Sequence, residues 1–343
     1  MTLRTPPASA GSAESAGSNE PTAFTDLVVS ACSAELPGTA DSPDPAAPAL
    51  PADLLDTIGA LGLETDLLIE ITDRALDEDL SWGPDVTSDA IFDADQRGRA
   101  RMVSRAEGCL AAVPVASLVL HLMAARNHDR ARSTILMSDG SRVHPGDIVL
   151  EVEAPLRTLL TAERTMLNLV GQLSGVATAT AAWADALAGS GTRVRDTRKT
   201  VPGLRVLQKY AVRCGGGVNH RMGLGDAALI KDNHIAAAGS VRAALAAVRT
   251  SAPGLDCEVE CDTLAQVCEA VSAGAGLILL DNMSVDQMRR AVAVARPAGV
   301  LTEASGGLQL KDATAVAATG VDYVAVGALT HSPAVLDLGL DLV

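Results

Sequence analysis

Beyond residue 193 the chain repeats one unit, a short apolar strand followed by a helical segment. Six runs read as strands: TRVRDT, AALIKD, CEVEC, LILLDN, VLTEAS and YVAVG. Several of the helical segments between them begin at a residue suited to capping, namely Ser240, Thr263 or Ser284. Strand and helix in alternation point to a parallel sheet, because parallel neighbours need a crossover long enough to hold a helix. Strands also end in groups suited to chemistry or anion binding: Lys231, Glu260, Asp281 with Asn282, Ser305 with Gly306 and Gly307, then Gly327. A ring of such groups at the carboxyl ends of successive strands is the pattern of a β/α barrel's active face. No GxGxxG follows a strand and no GxxxxGK[ST] occurs, so a barrel is preferred to a doubly wound nucleotide-binding sheet.

The chain before these repeats divides in two. Residues 1–50 are rich in Ala, Ser, Pro, Gly and Thr and carry six acidic residues against one basic. Such a segment cannot bury enough apolar surface to offset its ordering entropy, and it reads as a disordered tail. From about residue 52 a helical pattern begins, with Leu67, Leu68, Ile71 and Ala75 in phase. Between 97 and 154 two β-like stretches, GRARMVSRAEGCLAAV and DIVLEVEA, flank an apolar helix near 114–125, which describes a small α+β unit. The following stretch, PLRTLLTAERTMLNLVGQLSGVATATAAWADALAG, reads as two helices. On the first, Leu160, Arg164, Leu167 and Gly171 share a stripe. Periodicity alone makes Arg164 a side chain snorkelling from the stripe's edge.

Charge narrows the function classes. A formal net charge of −15 and an aromatic content of 2% argue against nucleic acid, which needs an extended basic surface and stacking rings. The same charge disfavours anionic membranes, and the most apolar run, LAAVPVASLVLHLMAA, is too short to span a bilayer. The first twenty residues lack the apolar core of a secretory signal, so a cytoplasmic enzyme is expected. The six cysteines include no CxxC pair, and Cys257, Cys261 and Cys268 read as reduced, buried thiols in preference to a metal site.

Against that acidic background, residues 193–231 hold nine basic residues, two acidic ones and three of the chain's four lysines. A field focused in a cleft draws small anions whatever the net charge. Arg205, Lys209 and Arg213, spaced by four, read as a solvated helix face. Arg198, Lys199, Arg221 and Lys231 lie instead at strand ends or in Gly-rich loops, where charged heads converge. His220 reads as a binding residue in preference to a general base, because neighbouring cations oppose its protonation. Opposite stand Glu258, Glu260 and Asp281, either salt-bridge partners of the cations or hard oxygen ligands for Mg²⁺. EASGG and VGALTHS place small residues after strands, exposing backbone N–H groups to a phosphate. The implied ligands are a phosphorylated group, a Mg²⁺-bound polyanion and a second anion gripped by Arg and Lys.

Eight motifs in order carry a resemblance: EDLSWGPDVTS, AERTMLNLVGQLSGVAT, DTRKTVPGLRVLQKYAV, GGGVNHRMGLGDAALIKDNH, EVECDT, LLDNM, EASGG and VGALTHS. From about residue 55 to 343 the chain resembles the quinolinate phosphoribosyltransferase family. Ala154 departs from the pattern, which has Gly there. The resemblance implies an α/β fold in two parts: an amino-terminal α/β sandwich domain over residues 51–173, to which 332–343 return, and an open, incomplete β/α barrel domain over 174–331. It implies phosphoribosyl transfer from phosphoribosyl pyrophosphate to quinolinate with decarboxylation, in NAD biosynthesis, with Mg²⁺ as cofactor. It also implies a homodimer in which Arg164 crosses to the partner's site and contacts the substrate carboxylate, which replaces the snorkelling reading. Arg198, Lys199, His220, Arg221 and Lys231 then match the cationic quinolinate pocket. Glu260 and Asp281 match the acidic pair beside the ribose and Mg²⁺, reached through water, and with Lys199 they form the catalytic set. Ser305, Gly306, Gly307, Gly327 and His331 match the 5′-phosphate cradle. The GGGVNH run reads as a flexible turn that brings His220 and Arg221 to the pocket.

Two other readings compete. A Schiff-base aldolase with Lys231 as nucleophile would take a phosphorylated sugar but leave the Arg-rich pocket idle. A non-catalytic binder of a pyridine dicarboxylate or nucleotide would leave Glu260 and Asp281 without a task.

Overall fold

The computed structural model describes residues 49–343, so the tail expected over residues 1–50 lies, but for its last two residues, outside the described residues. Helices α1 (Ala52–Ala60) and α2 (Thr65–Leu80) open the folded part, α2 burying Leu68, Thr72 and Leu76. Helix α3 (Val86–Ile91) starts at Asp85, whose carboxylate accepts from the N–H groups of Thr87 and Ser88. Strands β1 (Arg97–Ser104) and β2 (Gly108–Cys109), helix α4 (Val113–Arg126), and strands β3 (Arg132–Ile135), β4 (Arg142–Val143) and β5 (Ile148–Pro155) follow. β5 pairs antiparallel with both β1 and β3. α4 is apolar on every side and almost wholly buried, as a helix packed all round must be.

Helix α5 (Leu156–Ala186) is one continuous helix of 31 residues where the sequence suggested two. Its glycines serve close packing: a Cβ at Gly171 would lie 2.9 Å from the carbonyl oxygen of Leu336, and one at Gly175 would strike that of Ala334. The division expected at 173/174 falls inside this helix. Most of α5 lies in a first core with α4, while Trp183 in its last turn joins a second.

The second core lies between helices and a parallel sheet. β6 (Arg193–Arg195), α6 (Arg205–Cys214), β7 (Ala228–Ile230), α7 (Asp232–Ala238), α8 (Val241–Ser251), β8 (Cys257–Cys261), α9 (Leu264–Ser272), β9 (Leu277–Asp281), α10 (Val285–Ala295), β10 (Leu301–Ser305), α11 (Ala313–Ala317), β11 (Tyr323–Ala325) and α12 (Ala328–His331) alternate along the chain. All six expected strands are present, in the order β6-β11-β10-β9-β8-β7. Ser240, Thr263 and Ser284 cap α8, α9 and α10 as their side chains suggested. β6 and β7 remain as edges, so the barrel is open between its first and second strands. Finally β12 (Leu338–Leu342) returns to pair antiparallel with β1.

Strand parity separates two kinds of residue. Val259, Cys261, Ile278, Leu280, Ala304 and Val324 pack under the helices. Their alternates, including Arg195, Glu258, Glu260, Glu303 and Ser305, face the lumen, where side chains from β6, β8 and β10 meet. The five described cysteines are unpaired thiols: Cys109 and Cys261 are buried, but Cys268 is exposed, contrary to expectation. Cys32 lies outside the described residues. Among the described residues no helix is long and apolar enough to cross a membrane.

Candidate active site

A cavity of about 540 Å³ opens at the carboxyl ends of the barrel strands, within the range of small-molecule sites. One wall is cationic. Arg198 and Lys199 come from the loop after β6, His220 and Arg221 from the loop before β7, and Lys231 from its end. The adjoining wall carries Glu260 at the end of β8, Asp281 at the end of β9, and Ser305, Gly306 and Gly307 after β10. Strand ends from the whole sheet converge here because parallel strands all present the same end to one side.

The cations are poised for an anion. The Nε atoms of Arg198 and Arg221 are buried without a hydrogen-bond partner, and an unpaired buried donor is costly until a ligand meets it. Burial, then the nearby Arg198 guanidinium, hold Arg221 below its ordinary pKa, with Asp226 and Glu258 opposing. Converging positive charge of this kind raises the local potential for small anions.

The His220 ring lines the cavity and is held from within the protein. Its Nδ1 accepts from the Arg221 N–H at 2.7 Å, so its Nε2 carries the proton and donates to Glu258 at 2.7 Å. Both ring nitrogens are therefore engaged within the protein, and the ring lines the cavity without a free nitrogen. Glu258 serves this imidazole deeper in the lumen, apart from Glu260 and Asp281. Sequence reasoning missed two further members of this layer, Arg195 and Glu303, which pair at 2.5 Å. Glu303 is fully buried; burial first, then the Glu258 carboxylate, push it up to about 7, with Arg195 and His220 opposing. Strand parity held the signal: Glu303 is two residues before Ser305 and so shares its lumen side. His220, Glu258 and Glu303 are the one described group of His, Cys, Asp and Glu residues close enough to hold an ion, with ligand atoms within 4.8 Å of one another. The Arg195 guanidinium already supplies the cation there.

Lys209 corrects the solvated-face reading. It is fully buried and ion-paired with the equally buried Asp196, and its Nζ donates to the His220 carbonyl at 2.8 Å. Arg205 reaches Thr200 and the Met222 carbonyl, and Arg213 reaches Asn219 and the Leu61 carbonyl, so both tie loops together. Nor is the GGG run a flexible turn. A Cβ at Gly217 would lie 2.7 Å from Thr180 Cγ2 and 2.8 Å from Val212 Cγ1, so the glycines let the loop press against α5 and α6.

Three expected residues lie off the cavity lining. Gly327 gives passage to the Lys199 side chain, whose Cδ would be 3.0 Å from a Cβ there. His331 is exposed, its Nδ1 2.6 Å from Ser332 Oγ. Arg164 is exposed on α5 and, among the described residues, has no hydrogen bond or ion pair.

Glu260 and Asp281 suit a hard cation in donor chemistry. Each engages one oxygen in the protein, Glu260 Oε2 with Lys231 Nζ at 2.5 Å and Asp281 Oδ2 with Asn282 Nδ2 at 2.6 Å, and each has a second oxygen to offer.

Fold and site together define a class: a two-part α/β enzyme that binds polyanions at the carboxyl mouth of an open barrel. The family models described as quinolinate phosphoribosyl transferase, N-terminal domain and C-terminal domain, match residues 85–174 and 176–341. The chain belongs to the quinolinate phosphoribosyl transferase family. It is 54% identical over 281 residues to the nicotinate-nucleotide pyrophosphorylase (carboxylating) of Mycobacterium leprae (strain TN), covering 81% of this chain and 98% of that protein. The probable enzyme of that name from Bacillus subtilis (strain 168) is 42% identical over 266 residues, 77% of this chain and 90% of its own. The solved nicotinate-nucleotide pyrophosphorylase from Francisella tularensis has a TM-score of 0.78 and 36% identity, over 82% of this chain and 98% of that one.

Proposed function

We propose that the chain transfers the phosphoribosyl group of phosphoribosyl pyrophosphate to quinolinate with decarboxylation, giving nicotinate mononucleotide, pyrophosphate and CO₂ in NAD biosynthesis. The observation that carries this reading is the division of one cavity into a wall of Arg and Lys and a wall of two carboxylates beside a glycine loop. Membership of the family and 54% identity to a carboxylating relative support it.

The geometry supplies the chemistry in order. Arg198, Arg221 and Lys231 hold the two carboxylates of the pyridine, with His220 as part of the floor. Ser305 and the backbone of Gly306 and Gly307 face the 5′-phosphate, with Gly327 and His331 in the neighbouring loop. The ring nitrogen attacks the anomeric carbon as pyrophosphate departs, and positive charge develops on the ribose. Glu260 and Asp281 stabilise that charge, while Lys199 neutralises the departing anion. Holding both reactants in line supplies on the order of several kcal/mol more. Mg²⁺, held through Glu260 and Asp281 and water, would screen the pyrophosphate charge. Ribosylation leaves the ring nitrogen cationic, which stabilises the carbanion formed when the 2-carboxylate leaves as CO₂; that carbon then takes a proton from water to give the C–H of nicotinate mononucleotide.

The Schiff-base alternative is disfavoured by the placement of Lys231. Its ammonium is bonded to Glu260 and its side chain is 46% exposed, whereas an amine nucleophile needs the neutral form in a desolvating pocket.

A homodimer with shared sites fits the exposure of Arg164. Trp82, Val86 and Ile91, all large and apolar, are exposed at 93%, 71% and 65%. Asp85, between Trp82 and Val86, accepts from Thr161 on the same helix as Arg164. A second copy covering this side would bury the apolar group and carry Arg164 to its partner. We place the enzyme in the cytoplasm.

The test is to incubate the pure protein with quinolinate, phosphoribosyl pyrophosphate and Mg²⁺ and to measure nicotinate mononucleotide and CO₂. Equimolar appearance of both is expected. No product, or equal activity with nicotinate in place of quinolinate, would overturn the reading.

A further inference from the structure

Helix α6 carries two consecutive polar side chains, Gln208 and Lys209, that are both fully buried. Its apolar residues Leu207, Tyr210, Ala211 and Val212 belong to the first core, not to the core beneath the barrel strands. The helix is therefore anchored in the amino-terminal part while its polar side chains reach the active-site loops.

Lys209 and Asp196 grip one loop at the two backbone groups of a single residue, His220. Asp196 accepts from the His220 N–H at 2.8 Å, and Lys209 donates to the His220 carbonyl at 2.8 Å. Asn219 completes the clamp by donating to Asp196 Oδ2 at 2.5 Å and to the Lys209 carbonyl at 2.8 Å. This loop lies beside β6, bridged to it at Arg195 and Val218, on the side where the barrel is open and no strand pairs with that edge. Gln208 grips other loops. Its Oε1 accepts from the Val201 N–H at 2.9 Å and its Nε2 donates to the Thr330 carbonyl at 2.7 Å. Thr330 Oγ1 in turn donates to the Lys199 carbonyl at 2.7 Å.

We propose that Lys209 and Gln208 are positioning residues for different subsites: Lys209, through Asp196, sets the His220–Arg221 wall of the carboxylate pocket, and Gln208, through Val201 and Thr330, sets the segment of Lys199, which faces the departing pyrophosphate, together with the segment that carries Gly327 and His331. A buried ion pair is a poor choice for stability alone, since each charge must give up its hydration and apolar residues would pack as well. What the pair provides is directional: two charged hydrogen bonds that fix the backbone on both sides of His220 in place of the missing strand neighbour. Misplacing a binding group by about 1 Å from a distance costs up to ~100-fold in rate or affinity.

The inference rests on the proposed reaction, so turnover by the wild-type protein is measured first; its absence overturns the reaction and not the clamp alone. Quinolinate and Mg²⁺-phosphoribosyl pyrophosphate are then titrated separately by calorimetry into wild type, Lys209→Met and Gln208→Met, with KM for each substrate. Lys209→Met is expected to weaken quinolinate about tenfold or more and the pyrophosphate substrate about threefold or less; Gln208→Met is expected to show the reverse order. If Lys209→Met fails to fold, the double variant Asp196→Asn/Lys209→Met removes both buried charges together and carries the same expectation. Equal weakening of both ligands by both variants, or a lowered Tm with unchanged affinities, overturns the proposal.

Discussion

Lys231 Nζ lies 2.5 Å from Glu260 Oε2, a cation of one cavity wall bonded to an acid of the other. Because Lys231 is 46% exposed, the pair contributes little to stability, about 0–1 kcal/mol. Its importance is for ligands, which compete for both partners. Lys231→Met is expected to reduce kcat/KM for quinolinate by roughly 100-fold, with the urea midpoint within experimental scatter of wild type. A large stability loss with intact kinetics would show that the pair is structural.

The two acidic strand ends act on charge that exists only in the transition state. Glu260→Gln and Asp281→Asn should each lower kcat by roughly 100-fold or more while leaving the affinity for quinolinate within a few-fold. Single-turnover kinetics beside binding isotherms separate the two effects. Loss of quinolinate affinity with kcat preserved would remove these residues from the chemical step.

Arg164 supplies a test of shared sites. Inactive Arg164→Ala chains mixed with inactive Lys199→Ala chains should regain activity on subunit exchange, because one of the two sites in a mixed dimer is then intact. Heterodimers verified by mass spectrometry yet lacking activity would place Arg164 outside the partner's site.

Glu303 makes stability depend on pH. Its folded pKa is raised to about 7 from an unfolded value near 4.5, so the folded state holds a proton that the unfolded state has lost. The stability it contributes is full below about pH 4.5 and disappears as pH rises through about 7, a change on the order of a few kcal/mol. Glu303→Gln should flatten the urea-unfolding free energy across that window. A wild-type profile that is already flat there would contradict the assignment.

Gly217 tests whether the glycine run is needed for closeness or for motion. Gly217→Ala should cost about 1–3 kcal/mol by overpacking against Thr180 and Val212, read as a lowered Tm. A flexible loop would accept the methyl group without loss.

Local pattern exposed much of this protein in its sequence. The six strands, the caps at Ser240, Thr263 and Ser284, and the polar strand ends all follow from side chains acting within a few residues of themselves. The cationic and acidic walls were legible for the same reason, since a residue at the end of a parallel strand has one destination. Glu303 and Arg195 were equally local in their parity, but nothing in the chain says that strands two apart in the sheet bring their lumen side chains together.

What the sequence determined alone was the inventory: which residues form strands, which helices they begin, and which charged groups stand at the active mouth. Tertiary structure decided whether a given charge faces water or the interior. Lys209 has the spacing of a surface lysine and is fully buried, because the carboxylate that accepts it belongs to Asp196 on another element. The stretch that reads as two helices is one, and its Gly171 and Gly175 leave room for carbonyls that arrive more than 150 residues later in the chain. Both outcomes depend on groups brought close only by folding, and periodicity along a single segment carries no record of them.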